Sequence, residues 1–222
     1  SLLATKISFM NYIARIAEQI PDGDVEEIKN AIGMDKRISE SFLNAGLGFG
    51  GSCFPKDVKA LIAFSKELNI NSDILQSVLT INDTQFMSVF NVLNKELGAL
   101  EGKKISILGL SFKPETDDIR DAISLKIIKK LLDKKAIVRV YDPIANDSVK
   151  DVYGKSISYS SNSESCIKGS ECCIIVTEWK EFKSLKPKDF IRLMKRPLII
   201  DGRRIFSKKR FSKLEYHAIG LG

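Results

Sequence analysis

Histidine is almost missing from this chain: His217 is the only one in 222 residues. A Ser-His-Asp hydrolase is thereby excluded, because no serine nucleophile motif accompanies that single imidazole. Cysteine is also scarce. Cys53, Cys166, Cys172 and Cys173 form no C-x-x-C pair, so no metal site is expected. Four thiols in a lysine-rich chain of this length do not make a disulfide scaffold either, and a reducing cytoplasm fits them best. Long apolar runs are absent. Nothing approaches the ~20 residues that span a bilayer. The opening Ser1-Leu-Leu-Ala-Thr-Lys-Ile lacks the basic segment and small-residue cleavage site of a secretory signal. No membrane partner is expected.

What is present is ordinary globular material, 44% hydrophobic and 28% charged, with a net charge of +7. The charge invites a nucleic-acid reading, but its densest run argues otherwise. Lys126, Lys129, Lys130, Lys134 and Lys135 share a predicted helix with Ile123, Ile127, Ile128, Leu131 and Leu132. The lysines are then the solvated side of an amphipathic helix. No nucleic-acid signature accompanies them, and a phosphate-bearing small ligand suits the charge equally well.

Periodicity divides the chain at Gly98–Gly102. Residues 1–20 read as a helix apolar nearly all round, which is expected to be buried or to lie in an interface. Asp24 can cap a short helix through Ile32. A helix is predicted from Pro55 to about Leu68. Another, with Leu75, Val78, Asn82, Phe86, Val89, Leu93 and Leu97 in step, is predicted to run unbroken for more than twenty residues. Beyond Gly98 the pattern alternates. Apolar strands are expected at 104–108, 136–141, 172–177 and 197–201, with helices at 124–135 and near 187–194, and an edge strand at 156–159. The fold class is therefore α/β: an all-helical central domain over 1–97, then a Rossmann-like open parallel sheet domain over 98–222.

The chain's most informative stretch is Asn44-Ala-Gly-Leu-Gly-Phe-Gly-Gly-Ser-Cys-Phe-Pro-Lys-Asp57. Its glycines let the backbone turn and approach a ligand closely. Gly46 to Gly51 also satisfies G-x-G-x-x-G, but that pattern binds a dinucleotide only between a strand and a helix. No β-branched run precedes it, which rules out the dinucleotide reading for this loop. Pro55 suits the first helical position. Cys53 then falls just before a helix N-terminus, where unpaired N–H groups favour a thiolate. Lys56 adds positive charge, and Asp57 can relay a proton. The plainer alternative is a glycine turn followed by a buried structural cysteine.

Ligands of open parallel sheets bind beyond the carboxyl ends of the strands. Three segments there carry chemistry: Gly109-Leu-Ser-Phe112-Lys113-Pro-Glu-Thr-Asp-Asp-Ile-Arg120, Thr177-Glu-Trp179 and Asp201-Gly-Arg203-Arg204. Phe112 could pack on a base or ribose, Lys113 could meet phosphate, and a guanidinium could grip phosphate or hydroxyls. Equally, Lys113 could be a solvated loop lysine, Arg204 a surface residue and Trp179 a core anchor.

Gly48-Phe-Gly-Gly-Ser-Cys53-Phe-Pro-Lys56-Asp57 resembles the catalytic cysteine motif of the UDP-glucose 6-dehydrogenases, in the nucleotide-sugar dehydrogenase family. The 109–120 segment and Asp201-Gly-Arg203 resemble motifs of that family's UDP-binding domain. The resemblance implies oxidation of UDP-glucose to UDP-glucuronate with two NAD per turnover. Cys53 would carry a thiohemiacetal and then a thioester, with Asp57 and Lys56 assisting. It implies substrate binding by Arg37 across a homodimer of central helices, by Phe42, Leu43, Asn44, Gly46, Gly48, Phe49 and Gly50, and by Phe112, Lys113 and Arg203. Arg120 would reach towards NAD. It also implies that the chain is a piece of a longer protein. The family's N-terminal NAD-binding domain is absent, as are a lysine and an asparagine expected just before Leu-Ala-x-Lys-Ile at Leu3–Ile7. Tyr12 stands where many relatives have glutamate. Dehydrogenases of GDP-mannose or a UDP-N-acetylhexosamine remain alternatives, as does a non-catalytic nucleotide- or RNA-binding module.

Overall fold

A computed structural model describes all of residues 1–222. By its contacts the chain forms two units, Ser1–Phe86 with Ile219–Gly222, and Met87–Ala218.

The first unit carries α1 (Leu2–Ala17), α2 (Val25–Gly33), α3 (Phe54–Glu67) and α4 (Asp73–Gln85). Asp24 caps α2 as expected, its carboxylate accepting from Glu26 N at 2.9 Å. Pro55 takes the second position of α3 rather than the first. The expectation that α1 is apolar all round is met only in composition. Ala4, Ser8, Met10, Asn11, Ala14 and Ala17 are buried, whereas Leu2, Phe9, Tyr12 and Ile16 are exposed. The chain's end returns to this unit, where Gly220 N donates to Glu18 Oε1 at 2.8 Å and Val25 N to Gly220 O at 2.8 Å.

The single long helix predicted after residue 73 needs correction. It is two helices, α4 and α5 (Met87–Leu97), separated at Phe86. Their buried positions, Val78, Asn82, Gln85, then Val89, Phe90, Leu93, keep three- and four-residue steps across the break. Periodicity therefore cannot see it. The cause is tertiary, since α4 packs within the first unit and α5 within the second.

The second unit continues with β1 (Lys104–Leu108), α6 (Ile123–Asp133), β2 (Ile137–Tyr141), α7 (Asn146–Tyr153), β3 (Ser158–Tyr159) and α8 (Ser163–Ile167). After them come β4 (Cys172–Ile175), α9 (Lys180–Lys183), α10 (Pro187–Leu193), β5 (Leu198–Asp201), α11 (Lys208–Phe211) and β6 (Glu215–Ala218). All six strands are parallel, in the order β3-β2-β1-β4-β5-β6. That is the doubly wound arrangement, with its switch point between β1 and β4. Every residue of β4 and β5 is buried, as strands covered on both faces require. Helix α6 buries Ile123, Ile127, Ile128 and Leu131 and leaves its lysines on the other side. On one face of the sheet, Phe182, Phe190 and Phe211 are fully buried among Trp179, Phe206 and Tyr216. Side chains of that size contribute roughly 1.5–3 kcal/mol each by burial. No helix is long and apolar enough to cross a membrane.

Candidate active site

The glycine-rich stretch folds as a buried irregular loop leading into α3. Leu43 and Ala45 to Phe49 are buried, Gly50 is half-buried, and Phe42 and Asn44 are exposed. Gly48 and Gly51 take φ of +114° and +81°, which glycine adopts without strain. No strand precedes the loop, so its G-x-G-x-x-G is not a dinucleotide turn. Leu43 turns its side chain inward and can offer a ligand only its backbone.

Cys53 follows as the cap residue of α3. It is exposed, its carbonyl accepts from Asp57 N at 2.8 Å, and its Sγ lies 3.7 Å from Ser52 Oγ. Lys56 Nζ stands 3.7 Å from Asp57 Oδ1, both side chains open to solvent. Three rings brace this corner: Phe49 meets Phe54 edge-on at 5.7 Å, and Phe42 lies 6.3 Å from Phe54. Cys53, Lys56 and Asp57 therefore stand on one helical turn beside the loop. A nucleophile, a proton acceptor and a compensating cation on one turn can support covalent chemistry at a carbonyl. Arg37 is not drawn into this group. It pairs with Asp35 at 2.5 Å and is largely solvated.

The other three cysteines are buried. Burial pushes the Cys166 thiol up to about 12 and moves those of Cys172 and Cys173 in the same direction.

In the sheet unit, Phe112, Lys113 and Arg203 all lie beyond the carboxyl ends of strands. Lys113 Nζ sits 5.5 Å from the centre of the half-buried Phe112 ring and is otherwise solvent-facing. Arg203 N donates to Asp201 Oδ1 at 3.0 Å, and its Nε donates to Val176 O at 2.6 Å beside Glu178 at 3.4 Å. The guanidinium is thus fixed across the ends of β4 and β5. Arg120 forks onto Asp118, with Nη2 2.7 Å from Oδ2. That guanidinium holds the Asp118 carboxyl below its usual range.

Two buried aspartates organise these loops: Asp142, which no sequence pattern marks as a site residue, and Asp201, which opens the Asp-Gly-Arg segment. Asp142, at the end of β2, is 1% exposed. It accepts from Leu110 N, Ser111 N, Ser111 Oγ, Trp179 Nε1, Ile144 N and Ala145 N. Trp179 is thereby a core anchor. Asp201 accepts from Arg203 N, Phe206 N and Tyr216 Oη. Thr177 Oγ1 closes the arrangement by donating to Ser111 O at 2.7 Å. Gly109 has no room for a side chain: a Cβ there would stand 2.5 Å from Thr177.

Residues 1–84 match the central domain of the UDP-glucose/GDP-mannose dehydrogenase family, and residues 106–208 match its UDP binding domain. The chain belongs to this family. Among the relatives of this chain is UDP-glucose 6-dehydrogenase TuaD of Bacillus subtilis, 39% identical over 99% of this chain and 48% of the relative. The solved UDP-glucose dehydrogenase of Pyrobaculum islandicum superposes with a TM-score of 0.90 at 33% identity, over 100% of this chain and 49% of that one. A UDP-D-ManNAc dehydrogenase from Pyrococcus horikoshii gives 0.81 at 25% identity, over 98% and 49%. This dehydrogenase-family chain spans about half the length of the curated relatives it matches.

The family chain's own sheet does not fit a dinucleotide in the ordinary manner. In the doubly wound fold the acid near the end of β2 binds a ribose hydroxyl. In this sheet that acid, Asp142, is buried and already accepts six hydrogen bonds.

Proposed function

We propose that this chain is the substrate-binding and covalent-catalysis half of an NAD-dependent UDP-glucose 6-dehydrogenase, acting in a reducing cytoplasm. The observation that carries the reading is the chain's one exposed cysteine. It caps α3 directly after the glycine loop in a member of this family. NAD, when bound, supplies hydride acceptance at C6, twice per turnover. The glycine loop of this chain forms no dinucleotide turn, and Arg120 alone among its residues reaches towards that cofactor.

The steps that belong to this chain are covalent and protic. The Cys53 thiolate adds to the C6 carbonyl carbon of the aldehyde. A C–S bond forms, and the carbonyl electron pair moves to oxygen, which takes a proton. With C6 at the acyl level, water attacks it, the C–S bond breaks, and the thiolate departs. Asp57, one helical turn on, receives the proton of that water. Lys56, 3.7 Å away, orients Asp57 and balances its charge. Asn44 and the backbone of Leu43 to Gly50 bind the sugar side of UDP-glucose. Phe112, Lys113 and Arg203 bind the nucleotide side. Arg37, exposed and steered by Asp35, serves a second copy of the chain in a homodimer built on the exposed apolar face of α1.

Nucleotide choice is the discriminating test. In calorimetric titration the chain is expected to bind UDP-glucose at least about tenfold more tightly than GDP-mannose, a difference of about 1.4 kcal/mol. Equal or tighter binding of GDP-mannose would contradict the proposal.

A further inference from the structure

The loop beside Cys53 is buried without being regular. Ala45 to Phe49 are all buried, yet neither helix nor strand runs through them. Buried backbone groups must find partners, and in this loop they find side-chain amides. Asn82, on α4, accepts from Phe49 N through Oδ1 at 2.7 Å and donates from Nδ2 to Phe49 O at 3.0 Å. A residue on a neighbouring β-strand would make the same pair of bonds. Gly46 is held likewise by two residues. Its N–H donates to Asn11 Oδ1 at 2.8 Å, and its carbonyl accepts from Gln85 Nε2 at 3.0 Å.

The outer end of Gln85 is fixed as well. Its Oε1 accepts from Arg15 Nε at 2.8 Å, while Arg15 Nη2 donates to Thr84 Oγ1 and Ile81 O. A cationic donor on Oε1 determines that the NH2 of Gln85 faces the loop. Asn11, Asn82 and Gln85 are each no more than 4% exposed. At such positions on two packed helices, apolar residues would satisfy α1 and α4 without the desolvation that a buried amide incurs. The amides answer to the loop. From the clamped Phe49, the edge-on contact with Phe54 at 5.7 Å leads to the first residue of α3, next to Cys53.

We propose that Asn82, with Gln85 and Asn11, is a positioning residue for the cysteine loop. The three amides hold the 46–49 backbone in its ligand-ready form before ligand arrives, so binding spends no free energy on ordering it. The inference rests on reading this loop as the sugar-nucleotide cradle.

Hydrogen–deuterium exchange on the whole 222-residue chain, paired with UDP-glucose calorimetry, tests it. Asn82→Leu keeps the side chain's size and removes both bonds to Phe49. Amides of 45–50 are expected to exchange about tenfold faster, those of α1 and α4 less than about twofold faster, and UDP-glucose affinity to fall about tenfold. Asn82→Asp keeps the acceptor and loses the donor, and is expected to fall between. Should Asn82→Leu fail to fold, Gln85→Met removes the bond to Gly46 O together with the one from Arg15 Nε, leaves both Asn82 bonds to Phe49 in place, and carries the same expectation for the loop amides. Loop and helix amides accelerating together, loop amides unchanged, or affinity level while the loop loosens would each overturn the positioning role. A wild-type chain that binds no UDP-glucose would refute the proposed function instead, and the exchange pattern would still decide the clamp.

Discussion

Cys53 differs from the other three cysteines in access to solvent, which thiol chemistry requires. Native protein treated with iodoacetamide at neutral pH is expected to label one thiol rapidly and all four only after unfolding. Intact mass measurement would show this, and Cys53→Ser should abolish the fast phase. Rapid labelling of a second cysteine would contradict the buried placement of Cys166, Cys172 and Cys173. His217 offers an equally clean reading because it is alone. Burial holds its imidazole below the usual 6.5, with Lys95 and Arg196 acting in the same sense and Glu96 and Glu215 opposing them. The unfolded chain therefore binds a proton more readily than the folded one. The stabilisation is complete above pH 6.5 and is lost as pH falls through that value towards the lower folded one. A proton NMR titration of the single ring should give a midpoint below 6.5, and a higher midpoint would reverse the sign. At this scale the sequence is informative about what Cys53 neighbours, because Pro55 and the glycines mark a helix start. It is silent about partners distant in the chain. Nothing near Arg203 announces that Val176 O holds it, and Asn82 hides inside an apolar stripe as if it were one more core position.

The sheet elements were legible because their chemistry is local. Four β-branched runs with helical spacing between them can only be buried parallel strands, and β1, β2, β4 and β5 stand where those runs lie. Elements that depend on neighbours were not. β6 is a four-residue segment with no apolar run, formed because β5 presents an open edge to it. The serine-rich stretch around 153–164 leads into the short α8, whose start Asn162 caps by accepting from Ser165 N at 2.8 Å. The break at Phe86 arises because the two halves of one continuous stripe pack in different units. Asp142 joins three loops through hydrogen bonds that no spacing rule foresees. Asp142→Asn turns an NH2 towards donors that now meet a carboxylate. It is expected to lower the free energy of unfolding by at least about 2 kcal/mol, since each buried donor left unpaired costs about 1–3 kcal/mol. Urea denaturation measures this, and an unchanged midpoint would contradict the hub. The cap of α2 is a smaller instance: Asp24→Ala should cost about 1 kcal/mol in the same experiment.

On the scale of the whole molecule, the chain matches two domains of its family and spans half the length of its relatives. With no dinucleotide turn in either unit, the 222-residue chain mixed with UDP-glucose and NAD is expected to generate no NADH absorbance. Turnover would contradict the division of labour proposed for it. Leu2, Phe9, Tyr12 and Ile16 line an exposed face of α1, and sedimentation equilibrium is expected to return about twice the chain mass of 24.8 kDa. A monomer at micromolar concentration would remove Arg37 from the partner's site. The central claim is that the glycine loop cradles a sugar nucleotide against the cysteine that follows it. Its most direct test is the rate at which iodoacetamide alkylates Cys53 with and without UDP-glucose. Saturating UDP-glucose is expected to slow alkylation at least about tenfold, as occlusion of an accessible thiol requires, while GDP-mannose at the same concentration leaves the rate near its free value. An alkylation rate indifferent to UDP-glucose would contradict the account.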